Sequence, residues 1–186
     1  TVPAPGEFGS NTWPSPNDPD PQRAKAWTTG GANVWNTPAI DPELGMIYFS
    51  TGNPGPEAGG MGINRPGDNL YSDSVVALDP DTGKLKWHFQ FTPHDVYDYD
   101  SVQIPVLIDN WDGSSINVLT WANRNGNFYV LDRATGRFLL GKPFVKVNWM
   151  TDFDERGRPK QTPQGDGNPT YPGNQGGTNW YSPSYS

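Results

Sequence analysis

The sequence has no cysteine, so neither a disulfide framework nor thiol chemistry is open to it. Charge is sparse as well. Lys, Arg, Asp and Glu make up 18% of 186 residues, and 13 basic against 20 acidic side chains leave a net charge of −7. That balance excludes nucleic acid as a partner, because phosphate binding needs a basic face. No apolar run approaches the ~18–20 residues of a spanning helix, so no membrane span is expected. A leader pattern and an initiating Met are also missing, and the expectation is of an excised or processed piece. No segment sustains a 3.6-residue apolar period over three turns, so helix content should be low.

What is present is turn chemistry and large aromatics. Gly and Pro number 22 and 20, and Trp, Tyr and Phe eight each, a mixture of short strands and many turns rather than of disorder. Residues 1–23 carry six prolines and read as an extended, irregular surface segment; residues 24–186 read as strands and loops of one domain. Short apolar runs at 46–49, 74–78, 106–108, 116–119 and 128–131 are each bounded by Gly, Pro, Asn or Asp and predict strands. Residues 151–178 are polar and Gly/Pro-rich, and predict a long loop.

A repeat runs through this pattern. Leu78-Asp79-Pro80-Asp81-Thr82-Gly83-Lys84 is echoed by Leu131-Asp132-Arg133-Ala134-Thr135-Gly136-Arg137, an offset of 132 − 79 = 53 residues. Asp-x-x-Thr-Gly between two strands is hairpin chemistry: Gly accepts a positive φ and Asp bonds the turn backbone. A weaker third copy begins at Asp41. Strand-built repeats of this period mark propeller blades, and at ~45–50 residues per blade the chain is a partial arc of about three to four. Closed propellers have more, so a segment of a larger all-β protein is expected.

Three clusters carry candidate chemistry. Gly52-Asn53-Pro54-Gly55-Pro56 follows a strand; its Asn53 is either a neutral oxygen ligand for a hard cation or an ordinary left-handed turn residue. His94-Asp95-Val96-Tyr97-Asp98-Tyr99-Asp100 holds three carboxylates. If extended, Asp98 and Asp100 share a face, and a proton or a cation must relieve their repulsion; the alternative is a solvated acidic loop. Asn123-Arg124-Asn125-Gly126 offers a permanent cation in what is otherwise a hairpin signal. Trp35 and Trp180 are candidate stacking platforms.

The order of these clusters closely resembles the pyrroloquinoline-quinone (PQQ) alcohol dehydrogenases, the methanol/ethanol dehydrogenase family of eight-bladed propellers. Trp35, Gly52-Asn53-Pro54, Arg65-Pro66-Gly67-Asp68-Asn69, the turn ending at Trp87, Thr92-Pro93-His94-Asp95, Arg124-Asn125-Gly126 and Gly177-Thr178-Asn179-Trp180 carry the resemblance. It implies oxidation of a small primary alcohol to an aldehyde with PQQ and a metal ion, electrons leaving through a cytochrome c in the periplasm. Trp35 then floors the quinone, Arg124 and Asn179 contact it, Asn53 and Asp98 bind the metal, and Asp98 is the catalytic base; Asp95 should matter far less. Asn33 stands where relatives often have a cofactor-contacting Thr. The family's metal-binding Glu and adjacent-cysteine disulfide fall outside these residues. Asp100, two residues after the base, resembles the lanthanide-dependent type rather than the calcium type, since a trivalent ion favours an additional hard carboxylate. A homodimer is expected of the full-length protein. The competing readings are a quinoprotein sugar dehydrogenase and a non-catalytic propeller scaffold.

Overall fold

A computed structural model describes residues 2–55, 65–163 and 169–185. Two four-stranded antiparallel sheets dominate it. The first runs β1 (Ala39–Asp41), β2 (Met46–Ser50), β3 (Ser74–Leu78) and β4 (Leu85–Gln90), neighbours in that order. The second repeats the meander with β5 (Val106–Ile108), β6 (Val118–Ala122), β7 (Asn127–Asp132) and β8 (Phe138–Pro143). Each sheet is one blade. Fewer blades are complete than length alone implies, because long loops at 91–105 and before β1 consume residues without adding strands.

The two Thr-Gly motifs lie where the repeat predicts, at the β3–β4 and β7–β8 hairpins. In the first, Asp79 Oδ1 accepts the N–H groups of Asp81 (3.2 Å) and Thr82 (3.0 Å), and Gly83 N donates to the Asp79 carbonyl (2.8 Å). In the second, Asp132 Oδ1 accepts from Ala134 (3.0 Å) and Thr135 (3.1 Å), and Gly136 N returns to the Asp132 carbonyl (2.8 Å). Both glycines have positive φ, 67° and 72°. The third copy is placed differently: Asp41 closes the β1–β2 turn of the first blade, accepting from Glu43 and Leu44, so it does not begin another blade.

Alternation along the strands builds the core between the blades. Tyr48, Val75, Ala77, Trp87 and Phe89, with Phe91 just past β4, face Leu119, Trp121, Tyr129 and Leu131 across it, and all are buried. Phe91 sits 4.8 Å from both Trp121 and Tyr129, ring centre to centre, in tilted and edge-on contacts. Trp87 is buried: it lies 5.6 Å from Tyr48, and a Cβ on Gly136 would come within 2.5 Å of its ring. Arg133 completes the joint by pairing with Asp41 at 2.7 Å and Asp109 at 2.6 Å, while its carbonyl accepts the Tyr48 hydroxyl at 2.9 Å. The Asp41 contact is an ion pair rather than a well-aligned hydrogen bond.

Two expectations need correction. Within 151–178, β9 (Met150–Phe153) and β10 (Pro159–Gln161) form a hairpin around an Asp154-centred turn, whose carboxylate accepts from Arg156 and Arg158 at 2.8 Å. The Asp-x-x-Gly signal at 154–157 was outweighed by the polar composition around it; residues 164–168 of that stretch lie outside the described ones. Residues 1–23 are not wholly extended. Pro21–Ala24 is a short helix capped by Asp20, and Trp13 is buried with its indole N–H donating to the Leu70 carbonyl.

Candidate functional site

The site grows from one end of the first blade. Beyond β2, residues 52–55 run beside 30–33: Ala32 N donates to the Asn53 carbonyl (2.8 Å), Gly52 N to the Asn33 carbonyl (2.9 Å) and Gly55 N to the Gly30 carbonyl (2.9 Å). Asn33 is exposed and contributes this backbone oxygen. Gly52 is required by close approach, since a Cβ there would meet Asp100 Oδ1 at 2.5 Å and the Trp35 indole nitrogen at 3.2 Å. Trp35, Gly52 and Asp100 are thereby neighbours, with half of Trp35 still open to solvent.

Asp100 is buried and doubly held. Its Oδ1 accepts the Asn53 backbone N–H at 2.8 Å, and its Oδ2 accepts from Arg124 Nη1 at 2.7 Å. Arg124 reaches across from the β6–β7 turn, and its other arm, Nη2, lies 3.2 Å from Asp98 Oδ2. Two carboxylates therefore converge on one guanidinium. The convergence does not come from an extended strand, as the sequence implied: Asp98 has φ +65°, a left-handed backbone inside a loop. Arg124 sits between the two acids and relieves their repulsion.

Arg124 is itself fixed by the C-terminal loop. Its Nε donates to the Asn174 carbonyl (2.8 Å), its carbonyl accepts Gly177 N (2.9 Å), and Gly176 at φ +76° leaves its side chain room. Asn123 and Asn125 shape the turn beneath it: Asn123 Oδ1 takes the Asn125 N–H at 2.9 Å and Asn123 Nδ2 bonds Ser101. Asn179 lies in that same C-terminal loop, where its amide donates to the Gln175 carbonyl (3.2 Å) and accepts the Trp180 N–H (2.9 Å). Those hydrogen bonds are local and bring Asn179 to none of the acidic residues. Trp180 is half exposed and stacks on Tyr181, ring centres 4.6 Å apart. Asn36 ties the Trp180 carbonyl to that of Val102, close in sequence to Trp35.

A cavity of about 210 Å³ opens beside this cluster, lined by Asn53, Arg65, Asp95, Val96, Tyr97 and Asp98. Asp95 is buried, and burial pushes its carboxyl up to about 6 against the pull of the Tyr97 and Tyr99 N–H groups. Sequence reasoning missed Asp73. It is fully buried, its N–H bonds the Gly52 carbonyl, and neither carboxylate oxygen has a hydrogen-bond partner, since the neighbouring Ser72 hydroxyl donates to the Asn69 carbonyl. Burial, then Asp95 and Asp100 nearby, raise its carboxyl well above the usual range. Only its place at the head of an apolar strand, an unusual address for an Asp, could have signalled it.

The donor chemistry suits a hard cation. Asp98 and Asn53 line one cavity and Asp100 holds the Asn53 backbone N–H, so two carboxylates and an amide are neighbours, and each engaged Asp100 oxygen keeps a second lone pair. No group of three or more His, Cys, Asp or Glu side chains arranged for a metal occurs among the described residues.

The sequence profile of the PQQ glucose/ethanol/alcohol dehydrogenase β-propeller domain matches residues 7–161. The chain belongs to that family. Among its relatives, the quinoprotein alcohol dehydrogenase PedH of Pseudomonas putida is 47% identical over 156 residues, covering 83% of this chain and 24% of the relative. The solved quinohemoprotein alcohol dehydrogenase of Comamonas testosteroni superposes with a TM-score of 0.80 at 41% identity, over 92% of this chain and 25% of that one. A europium-containing methanol dehydrogenase gives 0.84 at 36% identity, over 100% and 31%. The chain thus spans about a quarter to a third of the length of these dehydrogenases, and its described residues supply two blades of a PQQ propeller.

Proposed function

We propose that the protein containing this chain oxidises a primary alcohol to an aldehyde, using PQQ and a metal ion and passing electrons to a cytochrome c. The observation that carries the reading is the convergence of Asp98 and Asp100 on Arg124, beside Asn53 and the Trp35 edge. A propeller scaffold has no use for that constellation, and the relatives are named as alcohol rather than sugar dehydrogenases. One of them is named 1-butanol dehydrogenase (cytochrome c), which supports the acceptor.

Asp98 is the base. Its side chain is a third exposed and borders the cavity, so an alcohol hydroxyl can reach it and leave its proton on the carboxylate. Arg124 pairs with Asp98 and aims it, and Trp35 offers a flat face for an aromatic cofactor. When bound, the quinone would supply a two-electron hydride acceptor and the metal a Lewis acid beside it, while Asp98 holds the hydroxyl proton. Arg124 and Asn179 are assigned to the quinone, and Asn53, Asp98 and Asp100 to the metal. The second acid of the Asp98-Tyr99-Asp100 motif favours a lanthanide over calcium, in keeping with the europium-containing neighbour. A periplasmic location and a homodimer accompany the reading.

The test uses the full-length protein reconstituted with PQQ and either calcium or a light lanthanide, assayed by dye-linked alcohol oxidation. Asp98→Asn should retain the quinone absorbance and lose roughly 10²–10⁴ in turnover. Retained turnover overturns the role of Asp98. Full activity with calcium, unchanged by Asp100→Ala, overturns the lanthanide assignment.

A further inference from the structure

Asp98 stands in a loop that no ladder supports. Its φ of +65° belongs to a region that L side chains avoid, so something must hold it there. The flanking N–H groups of Tyr97 and Tyr99 find their acceptors on one carboxylate: Asp95 Oδ1 takes Tyr97 N at 2.8 Å, and Asp95 Oδ2 takes Tyr99 N at 2.7 Å. The residue between those two donors is Asp98. We infer that Asp95 is the positioning residue of the site, a buried clamp that twists the backbone and aims Asp98 at Arg124 and the cavity.

Other contacts make the clamp stiff. Asp95 is 1% exposed, so water cannot replace it as acceptor. Its carbonyl accepts Arg65 Nη2, and Arg65, equally buried, is locked by reciprocal bonds with Asn69 at 2.9 Å each way. One residue earlier, His94 is tied to segment 67–68 through its backbone N–H and its ring Nδ1. After the clamp, the Tyr97 and Tyr99 rings stack 4.9 Å apart, and the Tyr99 hydroxyl bonds the Pro172 carbonyl. The loop is thus pinned at both ends, and the Asp95 carboxylate fixes its middle. Asp95 need not touch substrate or cofactor; it acts through Asp98, and this role rests on the assignment of Asp98 as base.

Asp95→Asn tests it in the full-length enzyme. An amide can offer an oxygen to one N–H but must turn its own N–H₂ toward the other, so one grip is lost. Turnover should fall by up to about 10²-fold, the effect of misplacing a reacting group by an ångström. In an Asp98→Asn background the same substitution should change turnover no further, because the base it positions is already gone. Additive losses overturn the proposal, since a merely structural residue would weaken both backgrounds alike. Amide hydrogen exchange reads the clamp without activity. In the wild type, the Tyr97 and Tyr99 amides should exchange as slowly as those in the middle of β7, and in Asp95→Asn faster, with β7 unchanged. Rapid wild-type exchange at both positions also overturns the proposal. If Asp95→Asn does not accumulate as folded protein, Asp95→Ser, which keeps a single acceptor, carries the same cycle. Wild-type enzyme inactive on every alcohol would sink the proposed function, while the exchange data still decide the clamp.

Discussion

The same five-residue turn occurs twice in this chain, and the two copies live in different surroundings. At 79–83 the turn is exposed, and a Cβ on Gly83 would meet nothing within 4 Å. At 132–136 it plugs the joint between blades: Gly136 rests on Trp87 and Arg133 is buried against Asp41. Their internal hydrogen bonds agree closely, Gly83 N and Gly136 N both returning 2.8 Å to the leading Asp carbonyl. Turn shape therefore follows from Asp, Thr and Gly alone. What differs is the pair of residues after Asp, Pro80-Asp81 against Arg133-Ala134, and the neighbour waiting outside the hairpin.

The largest expected break in this comparison is at Arg133. Arg133→Met should destabilise the protein by about 3–5 kcal/mol, because Asp41, 2% exposed, is left without its counter-charge. Lys86→Met at the first turn should cost under ~1 kcal/mol, since its pair with Asp79 at 3.0 Å is solvated. Next in size is glycine. Ala at either turn carries the strain of positive φ, about 1 kcal/mol, but Gly136→Ala also drives a methyl into the Trp87 ring, adding ~1–3 kcal/mol of overpacking. Denaturant midpoints of the paired variants check both contrasts; equal losses at Gly83 and Gly136 would mean that the blade contact contributes nothing.

The contrast also marks what could be read from the residues. Much that is local was legible: the two Thr-Gly hairpins, the strand cores at 74–78 and 106–108, and the series of residues that resembles the PQQ dehydrogenases, but not the β9–β10 hairpin or the short helix at Pro21–Ala24. β6 slid by two residues from the expected 116–119 to Val118–Ala122, because Ile116 instead supplies its carbonyl to Trp111 N in the preceding loop. In the site, the residue types were visible but the geometry was not. Asp98 and Asp100 meet through a left-handed backbone and a guanidinium 24 residues beyond Asp100, which no period-2 argument anticipates. Asp73 was hidden for the same reason, and Arg65, visible as part of a motif, gave no sign of its burial: their surroundings come from loops remote in sequence.

The smallest effect sharpens the comparison from the exposed side. A hydrogen bond from Lys86, then bonds from the Thr82 side chain and N–H, hold the Asp79 carboxyl down at about 2, against an ordinary 3.8. A depressed carboxyl stabilises the fold while ionised. Its contribution is therefore complete above 3.8, declines as the pH falls, and is gone once the folded group protonates below about 2. Asp79→Asn should flatten that part of the acid-unfolding curve, and Lys86→Met should flatten much of it, since Lys86 is the largest cause. Added salt should reproduce only a small part of the Lys86→Met effect, because the pair is a hydrogen-bonded contact at 3.0 Å, well inside the screening length of about 10 Å at 0.1 M. The hydrogen bonds from Thr82 are short-range and should survive salt, leaving a residue of the slope that disappears only in Asp79→Asn. A slope untouched by Asp79→Asn would locate the acid sensitivity away from this turn, and the two copies would then differ only through the blade contact.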